Sequence, residues 1–377
     1  MSKTAKVIVG VVVVILVIVV ITLTGKKDTD SETIKIGFIS DLSGSVKKYG
    51  AYEAGKLAMD EINANGGINS KRLEIIFEDG KCNSKEAVNA ANKLIQADKV
   101  KVILGGHCTP ESAAIAPIVE QNKVVMLAGI TSSPVLSSRG EYVFRTTSIS
   151  TVQSGIMADI AVNTLKEKNF AVIHEQTDYA RPIAEVFKSE VEARGGTVKI
   201  FEGFAPDTND FKTILAKVKS AGVDGILLSP QRPDAGLNIM KQLGELGIKA
   251  QLYGNDIIIN QTQIDQSPSL YEGMIFAGPN YDVINNPKSK KFNDTFKETF
   301  GYVPPFGVFT AESYDGVYII AEAIEKYGLD ADKIKDYLAN LKDYEGASGK
   351  ITINEKHDGV REYVPKIIKS GKIELYK

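Results

Sequence analysis

The chain has 377 residues, of which 43% are hydrophobic and 24% are charged, with no Trp and three His. This composition is typical of a globular protein, and the length corresponds to roughly two or three units of 100–200 residues. The formal net charge of -2 creates no attraction to nucleic acid or anionic lipid, so we predict no nucleic-acid partner.

Residues 1–33 are predicted to be a membrane anchor and a linker that precede the folded body. Val7 to Thr24 contains no charge and follows Lys3 and Lys6. As a helix this segment would span ~27 Å, close to the ~30 Å hydrocarbon core of a bilayer. A cleaved signal peptide is the alternative, but its shorter apolar region and its small-residue cleavage site are both missing. We therefore predict an N-terminal transmembrane helix that holds an extracytoplasmic protein at the membrane; the alternative is a cleaved protein that is secreted or periplasmic.

From Ile34 onward, short apolar runs alternate with amphipathic stretches. The predicted strands are Ile34–Ser40, Leu73–Glu78, Val100–Leu104, Lys123–Leu127, Tyr142–Arg145, Ala171–His174, Val198–Glu202, Gly225–Ser229, Ala250–Tyr253 and Met274–Ala277. The predicted helices are Tyr52–Asn65, Lys85–Gln96, Glu111–Gln121, Val152–Lys168, Ile183–Ala193, Asp210–Ala221, Pro233–Leu246, Pro287–Thr299, Ala311–Tyr327 and Asp332–Leu341. This α/β alternation predicts parallel sheets covered by helices on both faces. Ordinary domain size favours two sheets over one, and a ligand would then bind in the cleft between the two lobes.

Two similar segments, Cys108–Ser112 and Ile130–Pro134, follow neighbouring predicted strands. Each contains a hydroxyl residue immediately before a proline, a pattern that predicts a helix N-cap followed by the first helical residue. Two helix N-termini at the ends of adjacent parallel strands would present free backbone N–H groups to an anion. The pattern therefore predicts a site for a small carboxylate.

The sequence offers no pattern typical of an enzyme. His107, His174 and His357 stand in unrelated contexts, and zinc-protease, serine-hydrolase and Walker motifs are missing from the sequence. Leu104–Cys108 lacks the third glycine of a dinucleotide fingerprint. We predict no catalytic residue, no metal site and no cofactor.

Cys82 and Cys108 are the only cysteines. A disulfide between them would close a loop in the unfolded chain and so stabilise the folded protein by roughly 3 kcal/mol. It would also indicate an oxidising, exported compartment. Two free buried thiols in a cytosolic protein are the alternative.

Several motifs together resemble the type I periplasmic binding proteins, and within them the leucine/isoleucine/valine-binding branch of ABC importers. The motifs are Ile36–Gly44, Tyr49-Gly50, Ala58–Asn63, Gly66–Ile68, Glu78–Cys82, Glu86–Val88 and Arg145–Thr147. The resemblance implies two Rossmann-like lobes joined by three hinge crossings, near Thr147, near Gly278 and in or after a Gly346–Gly359 hairpin. Lobe 1 would comprise 34–147 plus 279–345, and lobe 2 would comprise 148–278 plus 346–377.

The same resemblance assigns roles around an α-amino acid. Thr109 matches a hydroxyl residue that binds the ligand carboxylate, and Ser132 matches a second hydroxyl shared by carboxylate and ammonium. Ile130 matches a position that offers its backbone carbonyl to the ammonium. Asp256 matches the acid that pairs with the ammonium, where the family often has Glu.

Aromatic residues and the disulfide complete the implied site. Tyr179 matches a tyrosine that closes over the ligand from the second lobe, and Tyr49 and Phe309 match aromatic walls of the side-chain pocket. The pair Cys82–Cys108 matches the family disulfide beside the carboxylate site. Gln231 departs from the family, which commonly has an aromatic residue there, so a ligand with a polar side chain or an amide becomes an alternative.

The resemblance implies an extracytoplasmic, monomeric solute-binding protein. It would capture an amino acid, with a branched-chain amino acid expected, and deliver it to an ABC permease. The alternatives are a ligand sensor or receptor with the same fold, a binder of a small amide or polar amino acid, and, in a different class, an enzyme.

Overall fold

The computed structural model describes residues 33–44, 47–259 and 261–377, which form two α/β lobes. The predicted membrane anchor lies outside these residues. Within the described ranges, no helix is both long enough and apolar enough to cross a bilayer.

The order of strands and helices follows the predicted alternation. The strands are β1 Ile34–Ser40, β2 Leu73–Asp79, β3 Val102–Gly105, β4 Val125–Ala128, β5 Val143–Arg145, β6 Asn169–Glu175, β7 Thr197–Phe204, β8 Gly225–Ser229, β9 Gln251–Gly254, β10 Ile275–Pro279, β11 Tyr344–Gly346, β12 Gly349–Ile353, β13 Gly359–Val360, β14 Tyr363–Lys369 and β15 Lys372–Leu375. The helices are α1 Ala51–Ala64, α2 Ser84–Gln96, α3 Thr109–Asn122, α4 Val152–Asp159, α5 Ala180–Ala193, α6 Lys212–Ala221, α7 Pro233–Glu245, α8 Gln261–Gln266, α9 Pro268–Tyr271, α10 Pro287–Phe300, α11 Val308–Tyr327 and α12 Ala331–Ala339. After α4 the chain continues through a π-helical turn, Ile160–Thr164, and so leaves the helix before the predicted end at Lys168.

The first lobe is built on a parallel sheet with strand order β2-β1-β3-β4-β5. Its strands are nearly continuous apolar runs because helices cover both faces. On one face Phe38 and Leu104 pack with α11, and on the other Ile39 and Ile103 pack with α2 and α3. The prediction of a sheet covered on both sides is confirmed.

The second lobe is built on a sheet with strand order β15-β14-β10-β9-β8-β6-β7. Strands β6 to β10 are parallel, as predicted, but β14 and β15 are antiparallel additions at one edge. The sequence analysis did not predict these two strands. Strand β15 forms the edge of the sheet, and every residue of it is exposed. Strand β14 lies between β10 and β15, and most of its residues are partly buried. Neither strand has the apolar run that marks a fully buried strand.

In the described part of the chain, three connections join the lobes. The first follows β5, the second follows β10, and the third links β13 to β14. The first and third lie side by side, since a Cβ added to Gly359 would be 2.0 Å from the carbonyl oxygen of Thr146. Only glycine permits so close an approach of two backbones. Arg361 fixes the third connection: its backbone N–H donates to Ser148 Oγ at 2.7 Å, and its Nε lies 2.7 Å from Glu312 Oε1.

The hairpin before the third connection packs on the first lobe, where Ile351 and Ile353 enter the core beneath the first sheet. We therefore propose that residues 346–360 belong with lobe 1 and that the third crossing lies at 361–362. The other proposed boundaries remain at 147 and 278.

Candidate ligand-binding site

A buried cavity of about 30 Å³ lies between the lobes. Its lining comprises Tyr49, His107, Cys108, Thr109, Ile130, Thr131, Ser132, Tyr179, Gln231 and Ile257. Six of the eight predicted site residues are thus brought together: Tyr49, Thr109, Ile130, Ser132, Tyr179 and Gln231. The volume is close to that of one or two water molecules, so a ligand of amino-acid size can enter only when the lobes move apart.

The lobes touch across this cavity. Ser133 Oγ in the first lobe donates a hydrogen bond to the carbonyl oxygen of Asp178 in the second. Gln231 Nε2 in the second lobe lies 4.0 Å from Cys82 Sγ in the first. These contacts define a closed arrangement of the two lobes.

Helix α3 begins beside the cavity, one residue earlier than the hydroxyl-proline pattern predicted. Its N-cap is Cys108, and Thr109 and Pro110 are the first two helical residues, so the prediction of Thr109 as the N-cap was wrong. The shift arises because Glu111 takes over the capping role: its carboxylate accepts from the N–H groups of Cys108 at 3.0 Å and His107 at 2.8 Å. Thr109, 3% exposed, still lies at the positive end of a fourteen-residue helix, where an anion is stabilised.

Glu111 is a site-forming residue that the sequence analysis did not identify. Besides its two bonds at the start of α3, it accepts from the N–H of Cys82 at 2.9 Å. It thereby joins the two cysteine-bearing loops. An acid three residues after an N-cap is the capping-box pattern, and that spacing could have revealed it.

The second predicted helix N-terminus is only a single 3₁₀ turn, Pro134–Leu136, with Ser133 as its N-cap. The prediction of a second helix here was wrong. The carbonyl oxygens of Thr131 and Ser133 are instead bound by Arg145 Nη1, at 3.2 and 2.6 Å. This side chain holds the segment as a loop, and so one helix, rather than two, supplies the dipole at this site.

Arg145 is 1% exposed and forms a buried ion pair with Asp358. Its Nε donates to Asp358 Oδ1 at 2.7 Å, and its Nη2 donates to Ser137 Oγ at 2.6 Å. Asp358 also accepts from the Ser137 hydroxyl at 2.8 Å. The hairpin of β12 and β13 thereby supports, through one guanidinium, the loop that carries Ser132.

Asp256 lies behind the cavity and is 5% exposed. Tyr179 lines the small cavity. Its hydroxyl donates to Asp256 Oδ1, and Gln153 Nε2 donates to the same oxygen at 3.2 Å. Burial raises the pKa of Asp256, while the two hydrogen bonds lower it. A buried carboxylate of this kind is stabilised by a cation, and Tyr179 connects it to the carboxylate-binding side.

Asp256 and Phe309 do not line the small cavity, in contrast to the prediction of one shared pocket. Both line a neighbouring cavity of about 290 Å³ between the lobes. Tyr49 packs on Phe306 with ring centroids 4.1 Å apart, and this ring pair stands between the two cavities.

His107 is a buried lining residue whose ring is held on both sides. Its Nδ1 lies 2.8 Å from the carbonyl oxygen of Ile39, its Nε2 lies 3.2 Å from Ser313 Oγ, and its ring stacks on Phe38. The contact with a carbonyl requires a proton on Nδ1, so the neutral ring accepts at Nε2 from Ser313. Burial lowers the pKa of His107 to about 4.

We expect acid to destabilise the protein through His107. Between its ordinary pKa of 6.5 and about 4, the unfolded chain binds a proton that the folded chain does not, so stability falls as the pH falls through this window. The contribution is on the order of 2 kcal/mol between pH 7 and pH 5. Denaturant unfolding at both pH values, compared between wild type and His107→Gln, measures it; an equal loss in both proteins would contradict the assignment.

Cys82 and Cys108 form a disulfide, as the sequence resemblance implied. It joins the loop after β2 to the N-cap of α3. It therefore tethers the helix start that carries Thr109.

We expect the double variant Cys82→Ser/Cys108→Ser to lose roughly 3 kcal/mol of unfolding free energy, because the unfolded chain is no longer cross-linked. Urea denaturation of both proteins, with and without reductant, measures the loss. Reductant should lower the midpoint of the wild type only. A wild-type midpoint that reductant leaves unchanged would contradict this prediction.

Two α/β lobes that meet over a small cavity and are joined by three chain connections define a two-lobed solute-binding protein. The sequence profile described as "Periplasmic binding protein" matches residues 33–365, and the chain belongs to this family. Among its relatives, the "Leucine-, isoleucine-, valine-, threonine-, and alanine-binding protein" of Pseudomonas aeruginosa is 31% identical over 332 residues, 87% of each chain. The "Leu/Ile/Val-binding protein" of Escherichia coli K12 is 27% identical, over 87% of this chain and 88% of that one.

Solved structures agree with this assignment. The leucine-binding protein LivK of Thermotoga maritima superposes with a TM-score of 0.83 at 27% identity, over 91% of this chain and 98% of that one. The branched-chain amino acid transporter substrate-binding protein LivJ of Streptococcus pneumoniae, in complex with isoleucine, gives a TM-score of 0.83 at 28% identity with the same coverage. The resemblance to the leucine/isoleucine/valine-binding branch is confirmed.

Proposed function

We propose that this protein captures an α-amino acid outside the cytoplasm and delivers it to an ABC permease, without catalysing a reaction. The expected ligand class is the branched-chain amino acids, because the relatives and the LivJ complex bear those names. One observation carries the proposal. The start of α3, with Thr109, lies on one side of the cleft, and the buried Asp256–Tyr179 pair lies on the other.

In this proposal a zwitterion satisfies both sides of the cleft. Thr109 and Ser132 bind the carboxylate at the positive end of α3, Ile130 offers its carbonyl to the ammonium, and Asp256 supplies the counter-charge. Charge-assisted hydrogen bonds of this kind contribute about 1.5–3 kcal/mol each. Micromolar binding needs only ~8 kcal/mol, so several such bonds offset the cost of ordering the ligand and closing the lobes.

Capture follows from the balance between open and closed arrangements. Ligand contacts from both lobes exist only when the lobes are closed, so a bound amino acid shifts the population toward closure. Tyr179 and Gln231 approach the ligand from the second lobe, and Phe309 and Tyr49 form the wall of the site on the first lobe. A bound amino acid must displace the Tyr49–Phe306 ring pair so that Asp256 and Thr109 border one space.

Thermal unfolding in the presence of each of the twenty amino acids tests the proposal. Leucine, isoleucine or valine should raise the melting temperature by several degrees at saturating concentration, because a ligand at 100 times its Kd adds about 2.7 kcal/mol. Unchanged melting with every amino acid and with small amides would refute amino-acid capture.

We further propose that the apolar segment Val7 to Thr24 anchors this binding protein, as a monomer, to the outer face of the cell membrane. The proposal rests on the absence of charge in that segment and on its length relative to a bilayer. Mass spectrometry of the native N-terminus tests it: an intact segment that fractionates with membranes is expected, and a chain beginning after it would refute anchoring.

A further inference from the structure

We propose that closure of the lobes is coupled to the uptake of one proton from solvent by Glu312, a buried acid at the hinge, so that the ligand is held more tightly at lower pH. This inference rests on the proposed capture of an amino acid by lobe closure and adds a control over it. Two observations carry it. Glu312 lies against two of the chain connections, and two buried acids there face one guanidinium.

Glu312 lies on α11 of the first lobe, at the place where the first and third connections run side by side. Its side chain is fully buried, and Nε of Arg361 in the third connection lies 2.7 Å from its Oε1. Thr147 of the first connection also lies against this carboxyl. The backbone N–H of Arg361 joins the two connections by donating to Ser148 Oγ at 2.7 Å. The carboxyl is therefore buried by the segments that must change conformation when the lobes rotate.

Two buried acids face one guanidinium in this cluster. Asp315 lies one turn after Glu312 on α11 and is 2% exposed, and the charge of Arg361 lowers the pKa of both carboxyls. With both acids ionised, one guanidinium would face two buried negative charges and could neutralise only one of them. An uncompensated buried charge is costly, so the pair of acids keeps one proton between them.

Hydrogen bonds decide which of the two acids is protonated. Asp315 accepts from the backbone N–H groups of Ala347 and Ser348, both at 2.7 Å, and from the Ser348 hydroxyl. These bonds stabilise its charged form. Neither oxygen of Glu312 accepts a well-aligned hydrogen bond from a described residue, because the side-chain N–H groups of Arg361 are directed at carbonyl and hydroxyl oxygens instead. The shared proton therefore belongs to Glu312.

Burial and the neighbouring charges have the same effect on Glu312. Burial raises the pKa of Glu312 to about 8, although Arg361 lowers it. The negative charges of Asp315 and Asp256 act in the same direction as burial. The nearby hydroxyl of Tyr363 keeps its own proton, because burial raises its pKa as well. At pH 7 the closed protein therefore carries a neutral Glu312.

Opening of the lobes removes the burial that keeps Glu312 neutral. Rotation about the connections separates the segments around this carboxyl and admits water, and a hydrated carboxyl returns toward its ordinary pKa of 4.5. Between 4.5 and about 8, the closed protein holds a proton that the open protein lacks. The ligand binds the closed arrangement, so it binds with uptake of a proton, and its Kd rises with pH through this window.

Titration calorimetry with L-leucine, L-isoleucine and L-valine at pH 7.0 and pH 8.5 tests the coupling. For pKa values of 4.5 and about 8, the Kd of the wild type should be higher at pH 8.5 by roughly 5- to 10-fold. Titrations at pH 7.0 in two buffers of different ionisation enthalpy should show uptake of about one proton per bound ligand. A Kd that does not rise between these pH values would overturn the inference and leave amino-acid capture standing.

Glu312→Gln assigns the proton to this residue, because glutamine keeps the size of the neutral acid and does not titrate. This variant should bind with the same Kd at both pH values and should bind more tightly than the wild type at pH 8.5, a gain that a damaged hinge would not give. Glu325→Gln is the matched control, because Glu325 is an exposed acid on the same helix and should retain the dependence of the wild type on pH.

The two variants separate Glu312 from the other groups that titrate in this range. Burial shifts the pKa of Glu111 to about 7 and that of Lys366 to about 8, and both groups are present in both variants. A dependence on pH that survives Glu312→Gln would therefore overturn the assignment to this residue. Binding of no amino acid by the wild type would refute the proposed function and this inference together.

Discussion

Replacing Asp256 with Asn is expected to abolish most amino-acid binding while leaving the fold intact. The Asn side chain can still accept from Tyr179 and Gln153, which both bond Oδ1 of the native residue. Only the negative charge is lost. A buried ammonium without its counter-charge costs on the order of 2–5 kcal/mol, so the Kd should rise by about 30-fold or more.

Calorimetric titration with L-threonine and L-valine measures this effect, alongside thermal unfolding of the free protein. Asp265→Asn is the matched control, because Asp265 is an exposed acid near the site in sequence and should not change the Kd. The free Asp256→Asn protein should melt no lower than wild type, because burial raises the pKa of this carboxyl and disfavours its charge. An unchanged Kd in Asp256→Asn would show that the ammonium binds elsewhere.

Replacing Arg145 with Met is expected to cause the largest loss of stability among the substitutions considered. The change removes the buried partner of Asp358 and the donors to the carbonyl oxygens of Thr131 and Ser133. Breaking a buried ion pair from one side costs about 3–5 kcal/mol. Because the Ser132 loop is held by the same guanidinium, ligand affinity should fall as well.

Urea denaturation measures the stability of this variant, and Arg139→Met supplies the comparison. Arg139 is exposed, and among the described residues its side chain donates to the carbonyl oxygen of Val135 on the same loop, at 2.8 Å. Its loss should cost less than about 0.5 kcal/mol. Similar losses of unfolding free energy in the two variants would mean that the buried Arg145 network contributes little to stability.

Much of the architecture could be predicted because buried parallel strands and amphipathic helices leave strong periodic patterns. Ile34–Ser40 and Gly225–Ser229 agree with the observed strands residue for residue. Strands β14 and β15 were not predicted because partly buried or exposed residues leave no continuous apolar run. The limits of the hairpin within 344–360 depend on packing against the first lobe, which no local pattern encodes.

The candidate site was predicted in part: most of its residues were identified, but the contacts around them were not. Thr109, Ser132 and Tyr179 meet at one cavity because strand ends determine where loops lie. The roles of Glu111 and Arg145 depend on contacts between distant segments, and Arg145 replaces the second predicted helix start with a loop. Asp256 and Phe309 line the neighbouring cavity instead, and this division depends on the packing of distant segments such as the Tyr49–Phe306 contact, which no local pattern encodes.

The placement of β14 and β15 has a consequence for biosynthesis. Strand β14 pairs with β10 and β15 pairs with β14, yet both are synthesised after every other strand of the second sheet. The second lobe therefore cannot finish folding until residues 363–375 have left the ribosome, and a nascent chain halted at residue 362 would expose the unpaired edge of β10. Such an edge is a template for aggregation, so fusion partners or tags are best attached where they leave 363–375 free to dock.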